Sequence, residues 1–142
     1  ATLNAAVDAG VTFFDTADVY GDGRSEQLVG RFLRERGGEG ITVATKMGRR
    51  ADPHVAEEYT GANFRAWNDR SRRNLGVDSL DLVQLHCPPT AVYSTDAVYD
   101  ELDAMVAEGR IKAYGVSVAP VRRAADADTA TESRGRSMRM AA

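Results

Sequence analysis

The stretch VTFFDTADVYG, residues 11–21, opens as an apolar strand and closes on two carboxylates and a phenol. Gly10 precedes it, and the run 11–14 is short, β-branched and aromatic, the composition of an interior strand. Polar groups at the tip of such a strand need partners, so Asp15, Asp18 and Tyr20 raise the question of what else arrives at the same end.

Working outward, comparable strands recur: ITVAT at 41–45, LDLVQL at 80–85 and AYGVSV at 113–118. Their starts lie 30 to 40 residues apart, the length of a strand, a crossover helix and a return. The intervening segments read as helices. From Ser25, a plausible N-cap, Leu28, Val29, Phe32 and Leu33 form one stripe that stops at Gly37. Residues 60–76 place Phe64, Trp67, Ser71 and Leu75 at helical spacing, and the segment from Thr95 does the same with Val98, Leu102, Met105 and Val106. Alternation of strand and helix predicts a parallel sheet with helices outside it. The opening ATLNAAVDAG has no initiator Met and reads as a helix with Leu3, Ala6 and Val7 on one face and Gly10 as its stop, as if the chain began inside a fold.

Patterning ends after Val121. Residues 122–142 hold Met138 and Met140 as their large apolar side chains and show no usable period, so a low-complexity, disordered tail is expected there. The domain reading is therefore 1–121 folded and 122–142 tail. The connection 48–60 is charged and turn-rich, and its His54 is expected to be solvated. GDGRSE at 21–26 lacks the glycine spacing and lysine of a phosphate loop and reads as a turn and helix start. RSRRNLG at 70–76 reads as a basic helix end complementing the helix dipole.

The 142-residue chain could hide roughly 68–70% of its unfolded surface in one core. With 18 Lys plus Arg against 21 Asp plus Glu, its net charge of -3 argues against partners held by bulk electrostatics, nucleic acid or membrane surface. No run approaches a membrane span, the first residues do not resemble a signal peptide, and the one cysteine, Cys87, has no disulfide partner; a cytoplasmic setting fits.

In a parallel α/β sheet or barrel the carboxyl ends of all strands face one side. Asp15 ends the first strand and Tyr20 follows in its loop, Lys46 ends the second, and His86 ends the third. Strand phase agrees: Asp15 shares a face with Val11 and Phe13, Lys46 with Thr42 and Ala44, and His86 with Leu82 and Gln84, while Val43, Val83 and Leu85 point outward. A phenol is a weak acid at neutral pH, but an ammonium nearby stabilises the phenolate, and a carboxylate keeps a buried ammonium charged. An imidazole beside them can orient a carbonyl oxygen. The four groups suffice to protonate a carbonyl, and because no side chain gives hydride, a nicotinamide is implied. Each residue alone has an ordinary structural explanation; together, on three successive strand ends, they point to chemistry. Asp18 is left outside it as a solvated loop residue.

FDTADVYG, ATKMG, LDLVQLHCPP and RIKAYGVSV, in that order, resemble the aldo-keto reductase family over about residues 1–121. The resemblance implies a (β/α)8 TIM barrel, NADPH (NADP) as cofactor, a small-molecule carbonyl substrate, and Asp15, Tyr20, Lys46 and His86 as the catalytic tetrad. Tyr20 would be the general acid in reducing an aldehyde or ketone to an alcohol, Lys46 and Asp15 would tune it, and His86 would position the carbonyl. Ser117 matches a serine that holds the nicotinamide carboxamide in the family. Val118 stands where the family has an asparagine and cannot make that side-chain hydrogen bond.

By the same resemblance the chain supplies the second to fifth strands, about half of the barrel, without the region that binds the adenosine end of NADPH. Such a part exposes strand edges, which invites self-association, and the isolated chain is expected to bind NADPH weakly and turn over little. The alternative is a non-catalytic, reductase-like module that senses cofactor or binds a partner. A metal site or a Cys-His nucleophile is disfavoured because the adjacent His86 and Cys87 point to opposite faces of a strand.

Overall fold

A computed structural model describes residues 2–118; the expected tail at 122–142 lies outside the described residues. Four parallel strands, β1 (Phe13–Asp15), β2 (Thr42–Met47), β3 (Leu80–His86) and β4 (Ile111–Ser117), stand side by side in chain order. They alternate with helices α1 (Thr2–Asp8), α2 (Arg24–Arg36), α3 (Gly61–Leu75) and α4 (Asp96–Ala107), and short 3-10 turns occupy Ala56–Glu58 and Thr90–Ser94. Strand order equal to chain order, with a helix in every crossover, is the repeat of a (β/α)8 barrel, and the described residues form part of one.

The two faces of the sheet divide the work. Outward-facing Val43, Met47, Val83 and Leu85 join Val29, Phe64, Leu75, Val98, Leu102 and Met105 in one core between sheet and helices. Each such side chain, fully buried, contributes about 1.5–3 kcal/mol. The inward face carries Ala44, Leu82, Lys46 and His86, all buried, with Lys46 opposite Gln84 and His86 opposite Ser117 in register. At β1 this face opens, leaving Phe13 46% exposed.

Some local readings change. β1 starts at Phe13 rather than Val11 because the Val11 N–H donates to Ala6 O at 3.0 Å, tying that residue to the end of α1. Ser25 is not an N-cap: α2 begins at Arg24 after Gly23, and the Ser25 hydroxyl accepts from Thr16 Oγ1 at 2.7 Å. Leu28 and Val106 lie outside the buried stripes of their helices. His54 is half-buried, its Nε2 2.9 Å from the Tyr59 hydroxyl, because Tyr59 is drawn into an aromatic cluster with Phe64 and Trp67 and anchors the loop above it.

The packing of α2 on α3 sets where the first strand's loop lies. Thr60 caps α3, its Oγ1 accepting from the Asn63 N–H at 3.3 Å, and Gly76 stops it at φ +72°, a conformation that favours glycine. Gly30 of α2 lies against that end: a Cβ there would sit 2.6 Å from the carbonyl oxygens of Asn74 and Leu75. Gly30→Ala is therefore expected to cost about 1–3 kcal/mol, read as a lower urea midpoint. Gly38→Ala, where the nearest atom is 3.4 Å away, is the control and should be close to neutral. Equal midpoints for the two variants would contradict this account.

Candidate active site

The carboxyl ends of β1, β2 and β3 bring Asp15, Tyr20, Lys46 and His86 to one mouth. Lys46 is 6% exposed and keeps its place through two acceptors, Asp15 Oδ2 at 2.6 Å and the carbonyl of Thr16 at 2.9 Å. Burying an ammonium is costly unless it is paired and hydrogen-bonded, and here both conditions hold. Asp15 itself stays half open to solvent, so the pair bridges the interior and the mouth.

Tyr20 sits on a turn closed by its own N–H donating to Ala17 O at 3.1 Å, and the residue is 45% exposed. Lys46 Nζ lies 5.7 Å from the ring centroid, within the range where a cation feels the ring. His86 meets the same ring edge-on, with centroids 5.9 Å apart and planes at 89°. Burial, then the positive charges of Lys46 and Arg49, hold the His86 imidazole below its ordinary titration range, so it is neutral at neutral pH. A neutral imidazole has one N–H to donate.

Ser117 ends β4 directly opposite His86, and its carbonyl accepts the Cys87 N–H at 2.8 Å. The structure thus brings together all four residues of the predicted quartet and sets Ser117 beside His86. Among the described residues no cluster of His, Cys, Asp or Glu could hold a metal ion.

Asp18 is the principal correction. It is 1% exposed rather than solvated, and neither carboxylate oxygen is hydrogen-bonded to a side chain among the described residues. Its burial, reinforced by the charge of Glu26, pushes its pKa up to about 7, against the pull of Arg50, Arg70 and the Val19 N–H. Arg70 is also more than a helix-end charge: it donates to the carbonyl of Asp18 at 3.3 Å and to the carboxylate of Asp22 at 3.0 Å, while Arg50 pairs with Asp22 from the other side. Behind the quartet lies a polar nest under the helices. Glu26, fully buried, accepts from Thr45 Oγ1 at 2.6 Å and from Asn74 Nδ2 at 2.8 Å. The reading by sequence missed this nest, although a signal existed. Thr16 and Asp18 are in phase with outward-facing Phe14, and their N–H groups continue the ladder to Ala44 O and Lys46 O beyond the end of β1.

No helix among the described residues is long and apolar enough to cross a membrane. A family model described as Aldo/keto reductase family matches residues 1–139. The chain is 37% identical over 119 residues to a probable aldo-keto reductase 1 of Glycine max, a match covering 82% of this chain and 34% of that one. Among solved structures, a glycerol dehydrogenase from Gluconobacter oxydans superposes with a TM-score of 0.72 at 32% identity, covering 91% of this chain and 41% of that one. An aldo-keto reductase from Klebsiella pneumoniae in complex with NADPH gives 0.70 at 27% identity, covering 87% and 40%. The chain therefore spans well under half the length of these relatives.

Proposed function

The chain belongs to the aldo/keto reductase family, and on that premise we propose that its site reduces aldehyde or ketone carbonyls of small molecules to alcohols with NADPH, in a cytoplasmic setting. The observation that carries this reading is the convergence of Tyr20, Lys46, Asp15 and His86 on one mouth. Tyr20 donates its phenolic proton to the carbonyl oxygen as negative charge develops there. Lys46, fixed by Asp15 and Thr16, lies against the ring and favours the phenolate left behind. Neutral His86, edge-on to Tyr20, offers an N–H that orients the same oxygen.

The donor set suits a nicotinamide cofactor, because the quartet can move a proton yet none of its members can release hydride; NADPH, when bound, supplies that hydride. Ser117, in register with His86, is the residue of this chain proposed to hold the carboxamide, and Val118 leaves that grip with one side-chain hydrogen bond fewer. The Klebsiella relative, solved with NADPH, supports the choice of cofactor.

The test is a graft. A Klebsiella reductase whose matching segment is replaced by residues 2–118 of this chain should oxidise NADPH with a simple aldehyde, in a reaction that depends on Tyr20. A folded graft that binds NADPH with no turnover would favour the non-catalytic module instead. For the 142-residue chain alone the proposal is different. Among the described residues β1 and β4 each have one unpaired edge, so weak NADPH binding, little turnover and self-association are expected. Tyr20-dependent NADPH oxidation by the purified 142-residue chain would overturn that expectation.

A further inference from the structure

Asp18 occupies an unusual position for a carboxylate. It lies three residues after Asp15 and two before Tyr20, with its side chain buried and neither oxygen hydrogen-bonded to a side chain among the described residues. Its main chain, by contrast, is fastened at both ends: the N–H donates to Lys46 O at 3.1 Å, and the carbonyl accepts from Arg70 at 3.3 Å. The next links are short. The Tyr20 N–H closes the turn onto Ala17 O, and the Asp18 N–H reaches the backbone of the residue that carries the ammonium of the quartet.

A buried carboxylate with no side-chain donor, and with only the backbone N–H of Val19 favouring its charge locally, still pays a desolvation cost that a carboxylic acid largely avoids. The charged and titratable groups around Asp18 do not remove that cost. Glu26 on α2 repels its charge; Arg50, in the loop after β2, and Arg70 on α3 attract it, but both are engaged with Asp22. Tyr59, after the Ala56–Glu58 turn, is a neutral phenol held above its ordinary range by burial and, in smaller part, by Asp18. Lys46 meets Asp18 through its carbonyl, with its ammonium committed to Asp15 and Thr16.

We propose that Asp18 is a positioning residue that carries a proton in the folded chain around neutral pH, and that losing this proton shifts the turn bearing Tyr20 relative to Lys46. The proton and the shift stand on the geometry above; only their consequence for carbonyl reduction rests on the reductase reading.

The experiment needs neither cofactor nor turnover. Carboxyl 13C and amide 1H–15N spectra of the 142-residue chain are recorded from pH 4 to 9, with Asp18→Asn used to assign the Asp18 signal. The expected result is an Asp18 carboxyl midpoint near 7, with the amides of Tyr20 and Lys46 moving at the same midpoint and losing that movement in Asp18→Asn. A carboxyl midpoint near 4, or Tyr20 and Lys46 amides that do not follow Asp18, would overturn the proposal. Either failure would leave the reductase reading intact, because that reading is judged by turnover of the graft.

Discussion

Tyr20→Phe in the grafted barrel is expected to lower kcat for aldehyde reduction by about 10²–10⁴-fold, the range associated with a positioned general acid. The substitution removes one O–H and little else. Phenylalanine keeps the ring that His86 meets edge-on at 5.9 Å and that Lys46 approaches at 5.7 Å, so the packing of the mouth should survive. Binding of NADPH and KM for the aldehyde should therefore move far less than kcat, because an interaction made chiefly in the transition state has been lost. Single-turnover NADPH oxidation by the two proteins at equal cofactor saturation makes the comparison. A variant within a few-fold of its parent would show that the proton comes from elsewhere, and would remove Tyr20 from the chemistry.

The strands were readable because their constraint is simple. A period of two, with aliphatic Val43, Val83 and Leu85 on one face and small or polar residues on the other, places each side chain against helix or interior. Parallel topology then carries Lys46 and His86 to the same end without any knowledge of helix packing. Helix starts were less legible, since Ser25 has the chemistry of a cap but is taken by Thr16 across nine residues, a contact that exists only once α2 has docked. Asp18 failed for a related reason. Its loop reads as solvated because strand composition ends at Asp15, whereas the hydrogen-bond ladder runs on through Thr16 and Asp18 and turns both under the helices. His54 went the same way: its environment depends on Tyr59 reaching Phe64 and Trp67, which local composition does not encode.

Asp18→Asn is expected to stabilise the chain at pH 8 and leave it nearly unchanged at pH 4. Asparagine copies the shape of the protonated carboxyl and cannot ionise, so the two proteins differ only where Asp18 would carry charge. With its pKa pushed up to about 7 by burial, the folded chain binds that proton more tightly than the unfolded one, in which the carboxyl titrates near the ordinary value of about 4. Between those pH values the unfolded state has released its proton while the folded state still holds it, so stability falls as pH rises and levels off once both states are ionised. A separation of that size corresponds to as much as about 4 kcal/mol, a ceiling that Arg50 and Arg70 lower if they turn toward the new charge. Urea unfolding of both proteins at pH 4, 6 and 8 measures it: the advantage of Asp18→Asn should grow with pH across that series. A constant difference at all three would mean that Asp18 ionises in the fold as readily as in water.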